Sequence, residues 1–347
     1  MEERGRDAPE FSGSEVSALA LAPMARLCAI MVGFALITGC AREPTRPTQV
    51  PKSFTGADVD PVWSNDGGTI AFRRRGFSSA GPPGIYTIPS AGGPMRFITP
   101  GDFFWPTDLR FSPDDRQLLC VVGLNLVVIS LDDFSSTVLP TYVDPDDGQR
   151  YATDPDWSPD GRRIVYSFNG RIRVFDLVTV IDDWLRPDPA VTTDTTYAGT
   201  MPRWSRDGTQ IAFRQNLYTY YVIAAVSADG RGLRVLHAPP PSLGESYHYL
   251  AWYAHAARGM DGVICDQDLQ PGYSFYVDRG GTATSRLPYR LKAHQSFSPN
   301  GEWLVEAAPD LHEPYAALFV QEVGDPSGAS RRQLTFWDEP ASAMDVP

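Results

Sequence analysis

The sequence predicts an all-β fold, a six-bladed β-propeller of four-stranded antiparallel blades, and three observations carry that prediction. A unit close to P-x-W-S-x-D-G-x-x-I-A-F recurs six times in 347 residues. Its aromatic anchors, Trp63, Phe111, Trp157, Trp204, Trp252 and Phe297, follow one another every 45 to 48 residues, the period of a propeller blade. Between anchors, short apolar runs alternate with turn residues, as strands and hairpins require.

Each element of the unit has a physical reading. A first strand ends on the anchor, and Ser-Pro-Asp-Gly or a near relative makes the turn. Pro presets φ, Asp satisfies local N–H groups and Gly accepts a positive φ. A second strand follows with alternating apolar residues: Ile70 and Phe72, Leu118 and Cys120, Ile164 and Tyr166, Ile211 and Phe213. Third strands are predicted within 84–93, 126–133, 171–177 and 221–230, and fourth strands at 95–99, 233–238 and 331–336. A blade cannot bury both faces alone, so the anchors are expected to fill the core between blades. Repeat five is looser, with an insertion from Tyr253 to Met260. Residues 52–55 also resemble a fourth strand, so either end of the chain could close the ring.

The propeller is expected to span 54–347. Before it, residues 24–40 carry Arg26, an uncharged run from Leu27 to Ile37, and then Ile37-Thr38-Gly39-Cys40. The run is too short to cross a bilayer and fits a signal peptide. The last four residues resemble the bacterial lipobox, which implies a lipidated Cys40. Residues 1–39 are therefore read as a lipoprotein signal with translation starting at Met24, and 40–53 as a lipidated N-terminus and a Pro/Thr tether. Ala41 after the cysteine leans, by resemblance to enterobacterial sorting, towards the outer membrane. The expected location is the cell envelope, facing the periplasm.

Composition narrows the chemistry. The chain has 42 acidic and 30 basic residues, a net charge of −12, and no basic stripe, which argues against nucleic acid. Cys120 and Cys265 fall on opposite sides of a six-fold ring and are expected as free, packed thiols. No G-x-S-x-G elbow is present, so a serine hydrolase is rejected. Residues Asp144 to Gly148 lack the acid spacing of an EF-hand and read as a solvated turn. Arg73-Arg74-Arg75 reads as a solvated basic loop. The histidines, His237, His248, His255, His294 and His312, show no metal-ligand spacing, and no cofactor or metal is expected.

The repeat, followed by dipeptides such as Gly92-Gly93 or Asp229-Gly230, resembles that of the TolB propeller over about residues 54–336. The resemblance implies the fold and an envelope location. TolB's preceding α/β domain is replaced by the tether, so the resemblance extends to the propeller and not to TolB's own role. The reading is of a monomeric, non-enzymatic module that binds an envelope protein or a glycan, with the lipid on Cys40 as its membrane contact. The alternative is a metal-dependent carbohydrate lyase, since some TolB-like lyases use histidines at the channel mouth.

The expected binding surface is that mouth. Three residues before each anchor stand Asp60, Asp108, Asp154, Met201, Tyr249 and His294, which should gather as a ring, anionic on one side. Packing alone gives no reason for three acids there, unless each caps its own turn. Trp105, with Phe103 and Phe104, and the tyrosines at 218, 220, 221, 247 and 249 are further candidates for contact, or for packing between blades.

Overall fold

A computed structural model describes residues 56–76, 81–101, 108–146, 148, 151–187, 197–217, 220–238, 247, 249–267, 273–287, 295–309, 316–325 and 327–336, all within the unit 52–347. The signal, Cys40 and the tether lie outside them. Among the described residues no helix is long and apolar enough to cross a membrane.

The architecture is an all-β propeller of four-stranded antiparallel blades. Repeat two forms β5 (Arg110–Phe111), β6 (Gln117–Val122), β7 (Asn125–Ser130) and β8 (Ser136–Val138). Repeat three forms β9 (Ala152–Trp157), β10 (Arg163–Phe168), β11 (Arg171–Asp176) and β12 (Ile181–Trp184). Repeat four forms β13 (Gly199–Trp204), β14 (Gln210–Asn216), β15 (Tyr221–Ser227) and β16 (Arg234–His237). Repeat five forms β17 (Leu250–His255), β18 (Met260–Gln267), β19 (Tyr273–Asp278) and β20 (Thr284–Arg286). Each of these is a separate sheet in simple meander order.

Repeats six and one share one eight-stranded sheet. It contains β21 (Gln295–Phe297), β22 (Trp303–Pro309), β23 (Ala316–Glu322) and β24 (Arg332–Gln333), then β1 (Ala57–Trp63), β2 (Thr69–Arg75), β3 (Gly84–Pro89) and β4 (Arg96–Pro100). The two runs are joined by a single parallel pair, Ala57 with Ala316. The C-terminal β24 pairs with β23 and so supplies repeat six with its fourth strand. Residues 52–55, the other candidate, lie outside the described residues.

The turn after the anchor is built alike in five repeats. The serine following the anchor, at 64, 112, 158, 205 or 298, donates to the Asp or Asn two residues on at 2.5–2.7 Å. Its oxygen accepts the N–H that opens the next strand at 2.8–3.0 Å. The serine bond is the main reason the Asp66, Asp114 and Asp160 carboxyls ionise below their ordinary range. Gly67 has φ +75° and lies against Pro299 of repeat six. Repeat two places Asp115 at the equivalent position, φ 58°, a conformation Asp tolerates better than most residues. Its carboxylate accepts the N–H groups of Asn65 and Asp66 at 2.7 and 2.9 Å, tying repeat two to repeat one.

Between blades lie apolar layers. Trp63, Phe111, Trp157 and Trp204 are buried in them as expected. Repeat five differs. Trp252 is half-buried against the layer between repeats four and five. Tyr253, at the position of the turn serine, is 3% exposed on the opposite layer, donating to the Gly301 carbonyl at 2.9 Å and packing on Phe297 at 5.0 Å. The insertion prolongs β17 and ends in a 3-10 turn, Ala256–Arg258. Cys120 and Cys265 are buried free thiols within two of these layers, and burial pushes the Cys120 thiol up to about 12.

One expectation is overturned outright. Arg73, Arg74 and Arg75 are not a solvated loop; they belong to β2, and Arg73 and Arg74 are 2% and 0% exposed. Arg74 makes a two-pronged ion pair with the fully buried Asp58 at 2.7 and 2.8 Å under the ring of Tyr86, 5.2 Å away. Strand alternation sends Arg73 to the opposite face, where its Nη2 lies 2.7 Å from Asp60. A buried guanidinium is tolerable because these carboxylates sit opposite it.

Candidate functional site

The innermost strands of all six repeats surround one cavity of about 830 Å³. In repeats one to four its wall runs from three residues before the anchor, or one earlier, to the turn beyond it. Asp60, Asp108, Asp154, Met201 and Tyr249 all stand in that wall, so the predicted gathering extends to every described member of the ring. His294, Trp105 and Cys40 lie outside the described residues.

The acids have a structural reason that the sequence reading missed. Asp60, Asp108, Asp154 and Met201 all adopt a left-handed backbone, with φ of 54°, 41°, 53° and 55°. Register slips in repeats one, three and four place a β-bulge at this point, within Val59 to Val62, Thr153 to Asp156 and Thr200 to Arg203. In each of those bulges proline comes next, where no ladder N–H is needed. Asp is among the few side chains that suit such a φ.

Capping also occurs, though not within each acid's own turn. The Asp154 N–H donates to Asp108 Oδ2 at 3.2 Å, and the Met201 N–H donates to Asp154 Oδ2 at 3.4 Å. Each carboxylate thus supports the bulge of the following repeat. Asp60 instead faces Arg73. Burial, then the neighbouring Asp154 charge, pushes the Asp108 carboxyl up to about 6, against the pull of Arg203 and Arg110.

The expected one-sided anionic ring is therefore corrected by arginines one residue before the anchors. Arg110 and Arg203 line the cavity with Asp156 between their repeats. Arg110 Nε is 3.4 Å from Asp156 Oδ1, whose other oxygen accepts the Trp204 N–H at 2.7 Å. Arg203 Nη1 donates to the carbonyls of Asp154 and Pro202 at 3.0 and 2.9 Å. Burial and the like charge of Arg110 lower the Arg203 pKa from its ordinary value, while burial raises that of Asp156. Alternation along a strand places positions three and one before the anchor on a common face, and that signal could have found these residues.

The opposite wall is aromatic. Tyr249 gives its N–H to Asp266 at 2.6 Å and meets Phe297 edge-on at 6.5 Å; burial pushes its hydroxyl up to about 12. Tyr247 is fully buried between repeats four and five, and Tyr221 packs against the same layer beneath Arg214, so both serve packing. The loop at Asp144 is an Asx turn, its carboxylate accepting the Asp146 N–H at 2.9 Å.

No protein-family model and no curated protein matches the sequence. Solved structures do. TolB from Acinetobacter baumannii superposes with a TM-score of 0.56 at 18% identity, over 78% of this chain and 64% of that one. Oligogalacturonate lyase from Vibrio parahaemolyticus gives 0.52 at 15%, over 83% and 82%. An oligogalacturonate lyase in complex with manganese gives 0.52 at 16%, over 81% and 78%. The described residues do not fit such a metal: no three His, Cys, Asp or Glu side chains converge. His237 lies against Phe275 and His255 against Tyr253, and neither lines the cavity. What this chain shares with these proteins is the β-propeller fold.

Proposed function

We propose that the chain is a lipid-anchored binding module of the bacterial envelope, with six blades, whose axial cavity receives part of an envelope protein or a glycan. One observation carries the reading: ionisable groups are kept inside a cavity where burial opposes their charge. Asp108 is held up to about 6, and Arg203 is lowered by burial. The left-handed bulges account for the acids but not for Arg110 and Arg203 beside them, and charged groups gathered in a cavity mark binding sites. Counting the eight-stranded sheet as two blades joined at Ala57 and Ala316 supports the number six.

The test is capture from envelope extracts by cross-linking, with wild type and the double variant Asp108→Asn, Asp154→Asn. Asparagine keeps an oxygen to accept the next repeat's N–H, so the melting temperature should not fall while capture collapses. Undiminished capture would remove the cavity from the function. The anchor is checked by fatty-acid labelling, which Cys40→Ser should abolish; an unlabelled wild type ends that part of the proposal. The lyase alternative would return if the purified protein held a stoichiometric divalent metal that His294→Ala released.

A further inference from the structure

At the outer edge of each blade a hairpin joins the third strand to the fourth. Four repeats place a glycine in its left-handed position: Gly92, Gly230, Gly281 and Gly324. Gly92, Gly230 and Gly281 lie close to Leu334, Arg186 and Leu236 of the preceding repeat. Repeat two uses Phe134, φ 61°, half-buried with the Arg96 guanidinium 4.4 Å from its ring. Repeat three uses Val180, φ 56°, a conformation in which a β-branched side chain is strained.

That strain is not repaid by packing. The tip, residues 177–180, is closed by Asp176 opposite Ile181, and Asp176 accepts the N–H groups of Val178 and Thr179 at 3.0 and 2.9 Å. Leu177 turns inward onto the layer between repeats two and three. Val178, Val180 and Ile181 do not: at 71%, 57% and 59% they are the most exposed large apolar side chains among the described residues. Single exposed apolar residues are ordinary, but three on one strained tip form a contact patch.

Charge and size indicate what covers it. The acids of the hairpin are matched by arginines, Asp176 by Arg162, Asp182 by Arg173 and Asp183 by Arg186, each at 3.0 Å. The tip is therefore aliphatic in a charge-balanced setting, which suits a zwitterionic surface. Three aliphatic side chains fall far short of the roughly 800 Å² per partner that a stable protein interface buries, and valine is under-represented among the residues that carry such interfaces. Burial in lipid asks only for apolar area. Residues 41–56, between Cys40 and β1, can reach roughly 50–60 Å. That is ample for a domain roughly 25 Å in radius to turn this tip to the bilayer, and a tether makes a weak contact sufficient.

We infer that the tip of repeat three, Val178 to Ile181, enters the surface of a zwitterionic bilayer as a second contact beside the lipid on Cys40. The contact orients repeat three, and with it the axial cavity, to the membrane. The inference rests on the lipid-anchor reading, and the test keeps the two apart. The full-length lipidated protein is placed in phosphatidylcholine vesicles with an environment-sensitive fluorophore on Thr179→Cys, Cys120 and Cys265 being buried. Its emission should shift to the blue and be quenched by a lipid-borne quencher. The same probe on Asp133→Cys, in the equivalent hairpin of repeat two, should stay in water. Adding Val178→Ser and Ile181→Ser should return the Thr179→Cys probe to water while fatty-acid labelling is unchanged. Val180→Gly, matching the other hairpins, should reduce the quenching while its urea midpoint holds or rises; a marked fall would make the valine a packing residue and overturn the inference. A probe that stays in water on lipidated, vesicle-bound protein also overturns it and leaves the anchor standing. A probe shielded without vesicles overturns it in favour of a second copy of the chain. Protein that takes no fatty acid and stays free of vesicles ends the anchor and the inference together.

Discussion

Repeats three and four on one side, and repeat five on the other, solve the same packing problem differently. In three and four a left-handed residue, a bulge and a proline precede the tryptophan, which lies buried between blades at 7% and 4% exposure. In repeat five no left-handed residue precedes Trp252, and β17 pairs with β18 from Leu250 to His255 without a slip. Trp252 nevertheless keeps the anchor's layer: it packs against repeat four, and its indole donates to the Arg203 carbonyl as that of Trp63 donates to Ser296, but it stays half-buried. Tyr253, at the position of the turn serine, packs on the opposite layer, with Ile264, Tyr276 and Phe297. The bulge accompanies deeper burial of the anchor and does not decide which layer it enters.

The largest effect that could break this comparison is at the anchors. Trp204→Ala should cost about 3–5 kcal/mol, as for a large ring lost from a core. Trp252→Ala should cost less than half of that, and Tyr253→Ala should exceed Trp252→Ala. Urea unfolding of the three variants decides the matter. If Trp252 proves as costly as Trp204, the bulge adds nothing to the anchor's burial and the two repeats are equivalent after all.

A smaller effect concerns the capped bulges, and its sign depends on pH. The Asp108 carboxyl ionises near 3.8 when ordinary and at about 6 here, so the native state binds the proton more tightly. Stability contributed by that proton is present at low pH and declines as pH rises from about 4 to about 6, then levels off. Asp108→Asn removes the ionisation while keeping a capping oxygen. The variant should match wild type near pH 4 and exceed it by about 1–3 kcal/mol at pH 7.5. Thermal unfolding across that range checks it; a variant less stable at pH 7.5 would show the charge to be a needed cap. The equivalent position of repeat five, Tyr249, has no carboxyl, and no such window is expected there.

The fold was legible because its signals are local and repeated. Anchor spacing, the Ser-Pro-Asp-Gly turn and strand alternation each depend on a few neighbouring residues. The site was legible only as a list of positions. Asp60, Asp108 and Asp154 could be placed on one ring by counting, but their left-handed φ depends on a ladder slip, which requires the partner strand. Arg73 and Arg74 read as surface residues because burial of a guanidinium depends on Asp60 and Asp58, some 13 and 16 residues away. Arg110 and Arg203 carry a signal of their own in the sequence, since strand alternation places them on the face of the acids.

Met201 gives the finest comparison, because it adopts the bulge of its neighbours without their chemistry. Its φ is 55°, as at Asp60 and Asp154, yet a methionine gains nothing from that conformation. A left-handed backbone costs an ordinary L-residue about 1–2 kcal/mol, and Asn and Asp less, since a short polar side chain bonds locally. Met201 is half-buried and packs at the edge of the layer between repeats four and five, so the lost thioether contacts offset part of the backbone gain. Met201→Asn should therefore stabilise the protein by about 0.5–1 kcal/mol, read as a higher urea midpoint at unchanged slope. The reciprocal change, Asp154→Met, should destabilise it, through the backbone and through loss of the cap on the Met201 N–H. If Met201→Asn is instead destabilising, the thioether makes contacts that outweigh the strain. The left-handed bulge would then no longer explain why acids occupy the other positions.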